Sequence, residues 1–540
     1  MPINSLFNWY IRRRMAHISL VRDQPVEAQL AVFAELMQRA AGTAFGKEHG
    51  FGEIRTVRDF KRRVPVRTYD DIKPWIERAR AGEEDVLWPG RTQWFAKSSG
   101  TTADRSKFLP VTEDALASCH YAGGKDLLAL YCSQVPEARL YQGRSLVLGG
   151  SSELHPDGSG GYTGDLSAIM IRNLPFWVEA RRTPGRDIAL MAEWERKVDA
   201  MAEATWREDV RVLAGVPSWM LVVAKRVLEL SGASSLGEVW PNLQLFMHGG
   251  VSYTPYRAQF DSLFAGTQRP VDCMETYNAS EGFFGIQDRV GADDLLMMLD
   301  YGIFFEFMPL SELGSEHPET LELRELEVGR EYALVISTNG GLWRYLLGDV
   351  VRITELHPFR MQVAGRTSMC LNAFGEELMV AQAERGIADA CAALGATVRD
   401  FTAAPIFMDA SSTGGHEWLV EFESAPSDLD AFTRCLDDSL QSQNSDYAAK
   451  RTGNLAIVFP VLRAVPPGTF EAWLRDHGKL GGQHKVPRLS PERRHLEEIW
   501  GRVGRGGENE NEVEVEVEVE VEVEVEVEVE VGRGGAAEQS

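Results

Sequence analysis

The pattern of apolar and polar positions predicts helices at the start of the chain and mixed helices and strands after it. Residues 3–22 are amphipathic, and in residues 25–41 the apolar positions fall on one helical face. The first segment permits a helix at a membrane surface or on a partner, but we expect a helix docked on the protein body. Further helices are predicted at 112–132, 187–204 and 217–231.

Short apolar runs between these helices predict strands. They occupy residues 93–96, 145–148, 243–247, 296–308 and 332–337. Strands that alternate with helices predict an α/β fold with a largely parallel sheet.

The character of the chain changes near residue 365, where the pattern begins to predict a small α+β domain. This region has predicted helices at 379–394 and 428–443, and predicted strands at 417–422 and 455–458. We therefore predict three parts, which are an N-terminal domain of residues 1–364, a C-terminal domain of residues 365–503 and a low-complexity tail of residues 504–540.

The tail carries half of the net charge of −24, because residues 507–540 contain thirteen glutamates and one arginine. Ten Glu-Val pairs fill residues 512–531, and their period of two residues is that of a strand. Like charges at every second position oppose strand pairing, so we predict that the tail is disordered. The remaining body is moderately acidic, which argues against a nucleic-acid surface.

Cysteine usage and hydropathy indicate a cytoplasmic protein. The six cysteines form no Cys-x-x-Cys pair, which speaks against a zinc site or a disulfide framework. Arg12, Arg13 and Arg14 interrupt the short apolar run at the N-terminus, and we predict no signal peptide. No apolar stretch approaches the ~18 residues needed to span a bilayer.

The segment 98–110, SSGTTADRSKFLP, has the composition of a phosphate-binding loop. Glycine allows close backbone approach, hydroxyl and amide groups donate to phosphate oxygens, and lysine supplies positive charge. A Ser/Thr-rich turn between two elements is the alternative. The segment lacks the Gly-Lys-Ser/Thr sequence of a Walker loop.

Three further segments place polar or glycine residues directly after predicted strands. They are His248-Gly249-Gly250, the run ETYNASEGFFG, in which Glu281 closes a small polar loop, and RYLLGDVVRI, which contains Asp349. His-Gly-Gly also occurs in esterase oxyanion holes, but the chain has no Gly-x-Ser-x-Gly nucleophile elbow, so we do not expect a hydrolase. Near the C-terminus, Lys485 stands in a loop between a glycine pair and a proline.

Taken in order, these segments resemble the Gretchen-Hagen (auxin-responsive) family of acyl acid–amido synthetases, in particular its bacterial branch. The segments are SSGTTADRSKFLP, ETYNASEGFFG, RYLLGDVVRI, GRTSMCLNAFGEEL and GGQHKVPRL. The resemblance extends over about residues 3–495 and places the chain in the adenylate-forming superfamily of acyl-CoA synthetases and luciferases. It implies a large N-terminal adenylate-forming α/β domain with mixed and parallel sheets, and a smaller α+β domain on a hinge.

The resemblance assigns most of the nucleotide site to the first two segments. The residues implied in ATP binding are Ser98, Ser99, Gly100, Thr101, Thr102, Lys107, Tyr277, Asn278, Ala279 and Ser280. Lys107 has the alternative of pairing with a surface carboxylate. Tyr277 is expected near adenine, Ser280 near the α-phosphate, and Glu281 as the Mg²⁺ ligand. Without the other motifs, Glu281 would be read as a residue in the first turn of a helix.

The remaining assignments lie further along the chain. Asp349 matches the acceptor of the ribose hydroxyls, but the arginine that the superfamily often has two residues before Gly348 is absent, and Arg344 precedes Tyr345 instead. Lys485 matches the lysine that swings over the active site during adenylation. The last implied sets are the adenine and acyl pocket at His248, Gly249 and Gly250, and the hinge at Gly365 and Arg366.

The function that the resemblance implies is ATP- and Mg²⁺-dependent joining of a carboxylic acid to an amino acid or another amine through an acyl-adenylate. An acyl-CoA ligase and a non-catalytic nucleotide-binding regulator are the alternatives. We expect a monomer. The aromatic residues Trp177, Trp219 and Phe246 are candidates for an aromatic acid pocket, although such residues more often belong to the core.

Overall fold

The computed structural model describes residues 2–98, 107–149, 154–156, 158–191, 193–251, 253, 256–367, 370–376, 378–408, 414–454, 456–477 and 486–506. Its strands are β1 Trp94–Ser98, β2 Lys107–Val111, β3 Arg144–Val147, β4 His155–Pro156, β5 Tyr162–Gly164, β6 Arg182–Thr183, β7 Val210–Gly215, β8 Leu245–Gly249, β9 Asp272–Ala279, β10 Gly282–Ile286, β11 Leu295–Met297, β12 Ile303–Pro309, β13 Glu331–Thr338, β14 Tyr345–Leu356, β15 Phe359–Arg366, β16 Cys370–Leu371, β17 Leu378–Met379, β18 Thr397–Ile406, β19 Gly415–Ser424 and β20 Val461–Val465.

The helices cover most of the segments that the sequence pattern predicts. They are α1 Pro2–Asp23, α2 Pro25–Ala40, α3 Ala44–Glu48, α4 Val57–Arg63, α5 Tyr69–Arg80, α6 Glu113–Ala115, α7 Tyr121–Gln134, α8 Leu166–Arg172, α9 Phe176–Glu179, α10 Arg186–Ala189, α11 Trp194–Thr205, α12 Pro217–Ser231, α13 Leu236–Val239, α14 Arg257–Leu263, α15 Val380–Leu394, α16 Leu429–Gln443, α17 Ser445–Arg451, α18 Thr469–Asp476 and α19 Arg494–Gly506. A π-helical turn, Leu116–His120, joins α6 to α7.

A large mixed sheet forms the centre of the N-terminal domain. Its strand order is β12-β13-β14-β15-β11-β10-β9-β8-β7-β3-β6. The strands from β9 to β6 pair in parallel, whereas those from β12 to β9 pair in antiparallel. The expectation of a largely parallel sheet therefore holds for one half of it. The antiparallel half arises because short turns such as Ser280-Glu281 join consecutive strands, and these turns are too short for a crossover helix.

Smaller sheets flank the large one. The order β2-β1-β5-β4 forms a sheet near the predicted phosphate loop, and β18-β19-β20 forms the sheet of the C-terminal domain. Helices α15 and α16 pack against each other in this smaller domain. The molecule thus has the predicted arrangement of a large sheet-and-helix domain followed by a smaller α+β domain.

Helix α1 contacts the body of the protein, as expected for a docked helix. Ile18 is buried, and Arg14 pairs with the carboxylate of Asp126 on α7. The hydroxyl of Tyr301 donates to the same carboxylate over 2.9 Å. Within the described residues, no helix combines the length and the apolar character needed to cross a bilayer.

Two strand predictions need correction. The predicted strand 296–308 is divided into β11 and β12, because Asp300, Tyr301 and Gly302 form a turn in which Gly302 has a φ of +70°. The predicted strand at 455–458 is not formed in residues 456–458, where Ile457 makes an isolated bridge to Gly414. Pro460 has no N–H to donate, and the strand β20 begins after it.

Candidate functional site

A cavity of about 1510 Å³ opens where the parallel strands β3, β7, β8 and β9 end. Ligand sites in open α/β sheets usually lie at the carboxyl ends of strands. The volume exceeds the range of roughly 300–1,000 Å³ that is typical of small-molecule pockets. It leaves room for a nucleotide and a second substrate. The predicted site residues that line the cavity are Ser98, Lys107, Tyr277, Asn278, Ala279, Ser280, Glu281, Asp349, His248, Gly249, Gly250, Gly365 and Arg366.

The predicted phosphate loop connects two paired strands. Ser98 ends β1 and lies opposite Lys107, which begins β2. Lys107 is buried and its ammonium lies 3.5 Å from the hydroxyl oxygen of Tyr345. An ion pair between Lys107 and a surface carboxylate, the alternative, does not occur within the described residues. Ser99, Gly100, Thr101 and Thr102 lie outside the described residues.

Glu281 lies in a hairpin turn rather than in a helix. Ala279 at the end of β9 pairs with Gly282 at the start of β10, so that Ser280 and Glu281 form a two-residue connection. The reading of Glu281 as a residue in a helical first turn is therefore wrong. Both residues of the turn line the cavity, and the carboxylate of Glu281 is of the ligand type that hard cations prefer.

Asp349 on β14 stands between two hydrogen-bond donors, one from β9 and one from the neighbouring strand β15. The hydroxyl of Tyr277 donates to its Oδ2 over 2.6 Å, and Nε of Arg366 lies 3.1 Å from its Oδ1. Burial and the adjacent carboxylate raise the pKa of Tyr277 well above its ordinary value, so the phenol stays protonated and remains a donor. Each carboxylate oxygen can accept more than one hydrogen bond, and Asp349 therefore keeps the capacity to accept a hydroxyl group.

Arg344 has a different role from that of a cavity residue. Its guanidinium is buried against Glu306, with Nη2 and Oε1 3.0 Å apart. The remaining donors contact the carbonyl oxygens of Lys61 and Val64 and the hydroxyl of Thr320. This geometry joins α4 to the antiparallel half of the sheet, so Arg344 does not take the place of the arginine expected two residues before Gly348.

The His248-Gly249-Gly250 segment ends β8 beside β9. A Cβ atom on Gly249 would lie 2.4 Å from the carbonyl oxygen of Thr276, so only glycine permits this approach of the two strands. The ring of His248 stacks on Tyr253, with centroids 4.2 Å apart, and its Nδ1 has no hydrogen-bond partner in the part of the chain that is described. Burial, with a further contribution from Arg257, lowers the pKa of His248 to about 3.

Several residues that line the cavity were not predicted as site residues from the sequence. Burial raises the pKa of Glu275, which neighbours His248 across the β8–β9 pair, and Arg257 opposes this shift. Asp165 and Gly149 also line the cavity, and the carbonyl of Gly149 accepts a hydrogen bond from Lys197 over 3.1 Å. None of the sequence motifs includes Asp165, and the local signal near it is the run of glycines in residues 158–164.

The aromatic candidates divide between cavity and core. Trp219 lines the cavity and donates through Nε1 to the carbonyl of Phe374 over 2.8 Å. Phe246 is fully buried in the core. The side chain of Trp177 and the whole of Lys485 lie outside the described residues.

Models of one known family match most of the length of the chain. Three family models match the chain, namely the GH3 family N-terminal domain at residues 14–269, the GH3 family central domain at residues 296–366 and the GH3 family C-terminal domain at residues 381–494. The chain belongs to the GH3 family. The predicted family is confirmed, whereas its placement in a bacterial branch stays a prediction.

Curated relatives in the GH3 family are similar over most of their length. An indole-3-acetic acid-amido synthetase from Arabidopsis thaliana is 26% identical over 85% of this chain and 88% of its own. A second, from Oryza sativa subsp. indica, is 26% identical over 85% of this chain and 87% of its own. Both are named as enzymes that join an acid to an amine.

A solved structure confirms the fold. The GH3.15 acyl acid amido synthetase covers 90% of this chain and 95% of its own with a TM-score of 0.57 and 17% identity. The same enzyme with 2,4-DB gives a TM-score of 0.57 and 19% identity over 91% and 96% of the two chains. At these identities the likeness concerns the fold alone.

Proposed function

We propose that this chain is an ATP-dependent acyl acid–amido synthetase that adenylates a carboxylic acid and transfers the acyl group to an amino acid or another amine. The observation that carries the proposal is the convergence of separate sequence motifs on one cavity in a chain of the GH3 family. The proposal includes a cytoplasmic, monomeric enzyme whose C-terminal domain, beginning at residue 365, rotates about Gly365 and Arg366.

The nucleotide would be held by groups from several strands. Lys107 and the hydroxyl and amide groups of residues 98–102 would bind the β- and γ-phosphates, and Asp349 would accept the ribose hydroxyls. The Ser280-Glu281 turn fits a phosphate-bound Mg²⁺, because Mg²⁺ typically uses one or two protein carboxylates together with substrate phosphates. Mg²⁺ held there by Glu281 would neutralise part of the phosphate charge.

The proposed reaction has two displacements. In the first, a carboxylate oxygen of the acid attacks the α-phosphorus of ATP, and the bond to pyrophosphate breaks. Lys485 would offset the negative charge that develops between the acid and the phosphate. In the second, the acceptor amine, after losing a proton, attacks the acyl carbon, the nitrogen loses its next proton to solvent, and AMP leaves with the electrons of the broken carbon–oxygen bond.

Acid-dependent exchange of radiolabelled pyrophosphate into ATP tests the first displacement. Wild-type protein should exchange with at least one acid of a panel, and Lys485→Ala should reduce the rate by about 10²–10³, the scale of one lost transition-state contact. Lys479→Ala, a lysine of the same segment without the family match, is the matched control. Conjugation from a supplied acyl-adenylate should be largely kept in Lys485→Ala, and an equal loss of both half-reactions would refute its role.

A further inference from the structure

Helix α7 and the turn before it form one wall of the cavity. The proposed nucleotide site gives the residues of this wall no role. His120, Gly124 and Leu127 all line the cavity. They are separated by four and three residues, a spacing that places them on one helical face. His120 closes the π-helical turn Leu116–His120 that precedes α7. Such turns are rare and are found frequently at functional sites, because the extra residue changes which side chains face inward.

The two consecutive glycines of α7 have different surroundings. Glycine inside a helix is unfavourable relative to alanine, so each position calls for a reason. A Cβ atom on Gly123 would lie 2.4 Å from the ring of Phe283 on β10, which explains that glycine by close packing. A Cβ atom on Gly124 would meet nothing within 4 Å. Packing therefore does not require a glycine at position 124, and its effect is to keep the cavity wide.

His120 is a buried polar group that faces this space. Its exposed fraction is 3%, and its ring makes no hydrogen bond to any residue that the structure describes. Burial lowers the pKa of His120 to about 4, so the imidazole is neutral at pH 7. A neutral imidazole offers one donor and one acceptor, and since neither ring nitrogen is bonded to a described residue, both can bind a ligand in the cavity.

The other side of α7 is firmly attached to the protein. Asp126 is almost fully buried and accepts hydrogen bonds from Arg14 on α1 and from Tyr301. The backbone N–H of Phe283 donates to Sγ of Cys119 over 3.2 Å. The positions of His120 and Gly124 are therefore fixed before any ligand binds, which is the condition for a selective pocket.

We propose that the face of His120, Gly124 and Leu127 selects the acid substrate, and that this acid has a broad apolar body with one uncharged hydrogen-bonding group. The body fills the space beside Gly124 and contacts Leu127 and Phe283. The uncharged group, a hydroxyl or a ring N–H, pairs with the imidazole of His120. This inference rests on the proposed function, and it excludes acids with a second carboxylate or an ammonium at that position, because His120 supplies no charge to balance them.

Pairs of acids that differ in one hydroxyl test the role of His120. Phenylacetic acid and its 2-, 3- and 4-hydroxy derivatives serve as probes in the pyrophosphate exchange assay. Wild-type protein should prefer at least one hydroxylated acid by about tenfold in kcat/KM, the effect of one well-placed hydrogen bond. His120→Phe keeps a ring of similar size and should abolish this preference, while the exposed His155→Phe should keep it. Equal use of all four acids by the wild type, or an unchanged preference in His120→Phe, would overturn the inference.

Substitutions at the glycine pair test the shape of the pocket. Gly124→Leu should lower the ratio of phenylacetate to propionate use at least about tenfold, in the range expected for steric discrimination in an apolar pocket. Gly124→Ala should raise the melting temperature, because alanine favours the helix and meets no neighbour. Gly123→Ala should lower the melting temperature, because its methyl group would meet Phe283. An unchanged ratio in a folded Gly124→Leu protein would contradict the assignment.

Saturation-transfer NMR of the same acids separates this inference from the proposed function. In one outcome, a hydroxylated acid binds, His120→Phe weakens this binding, and no pyrophosphate exchange occurs. This outcome would support the inference and contradict adenylation. Exchange without a preference for the hydroxyl would support adenylation and contradict the inference. Neither binding nor exchange with any probe would contradict both.

Discussion

Arg344, beside the antiparallel half of the sheet, and His120, in the wall of the cavity, are buried polar groups with opposite surroundings. In the antiparallel half, Arg344 is paired with Glu306, and the donors of its guanidinium contact carbonyl and hydroxyl oxygens. At the cavity, His120 makes no hydrogen bond to the described residues, and Nδ1 of His248 has none either. The donors of Arg344 are used by neighbouring protein groups, whereas the ring nitrogens of these histidines that lack a described partner can bind a ligand.

Among the variants that test this comparison, we expect Arg344→Met to lose the most stability. The substitution leaves Glu306 as a buried carboxylate without its cation, and we expect the free energy of unfolding to fall by about 3–5 kcal/mol. Urea denaturation followed by circular dichroism measures this change. Arg352→Met, which removes a partly exposed pair with Glu331, is the matched control and should cost less than about 1 kcal/mol. A similar cost for both variants would contradict the architectural role of Arg344.

Lowering the pH should reduce the stability of the protein, because His120 and His248 are buried in their neutral form. The pKa of His120 is lowered to about 4 and that of His248 to about 3, whereas in the unfolded chain both groups have their ordinary pKa of 6.5. Between these values the unfolded chain binds more protons, so stability is complete above pH 6.5 and falls as the pH is lowered below it. From pH 7 to pH 5 the loss should be about 2 kcal/mol for each histidine.

Urea denaturation at pH 7 and pH 5 measures this loss. The double variant His120→Phe, His248→Phe should lose less stability than the wild type over this interval, by about 4 kcal/mol in total. The same loss in the double variant would show that other groups cause the acid sensitivity, and it would contradict the role given to the two histidines.

A smaller effect is expected where the two regions meet, at the hydrogen bond from Tyr277 to Asp349. Tyr277→Phe removes a donor to a carboxylate and should lower the free energy of unfolding by about 1.5–3 kcal/mol. The variant should also raise the KM for ATP, since Asp349 loses a group that holds it in place. Steady-state kinetics with varied ATP measures the second effect. An unchanged KM together with lower stability would separate Asp349 from nucleotide binding.

The sequence predicted the elements whose signals are local. The apolar periodicity of residues 217–231 coincides with α12, and predicted site residues at the ends of β1, β8 and β9 line one cavity. The hairpin position of Glu281 was not predicted, because the strand partner of its segment is a tertiary feature. His120 was missed for a related reason, since neither the π-helical turn nor the space beside Gly124 leaves a mark in the apolar pattern.

The most direct test of the central claim is the identification of the product by mass spectrometry. The protein is incubated with MgATP, hydroxyphenylacetic acid or another acid active in exchange, and either a mixture of amino acids or coenzyme A. We expect an amide of the acid and an amino acid, formed with equimolar AMP and pyrophosphate and absent without ATP. A thioester formed in place of the amide, or release of ADP in place of AMP, would contradict this expectation.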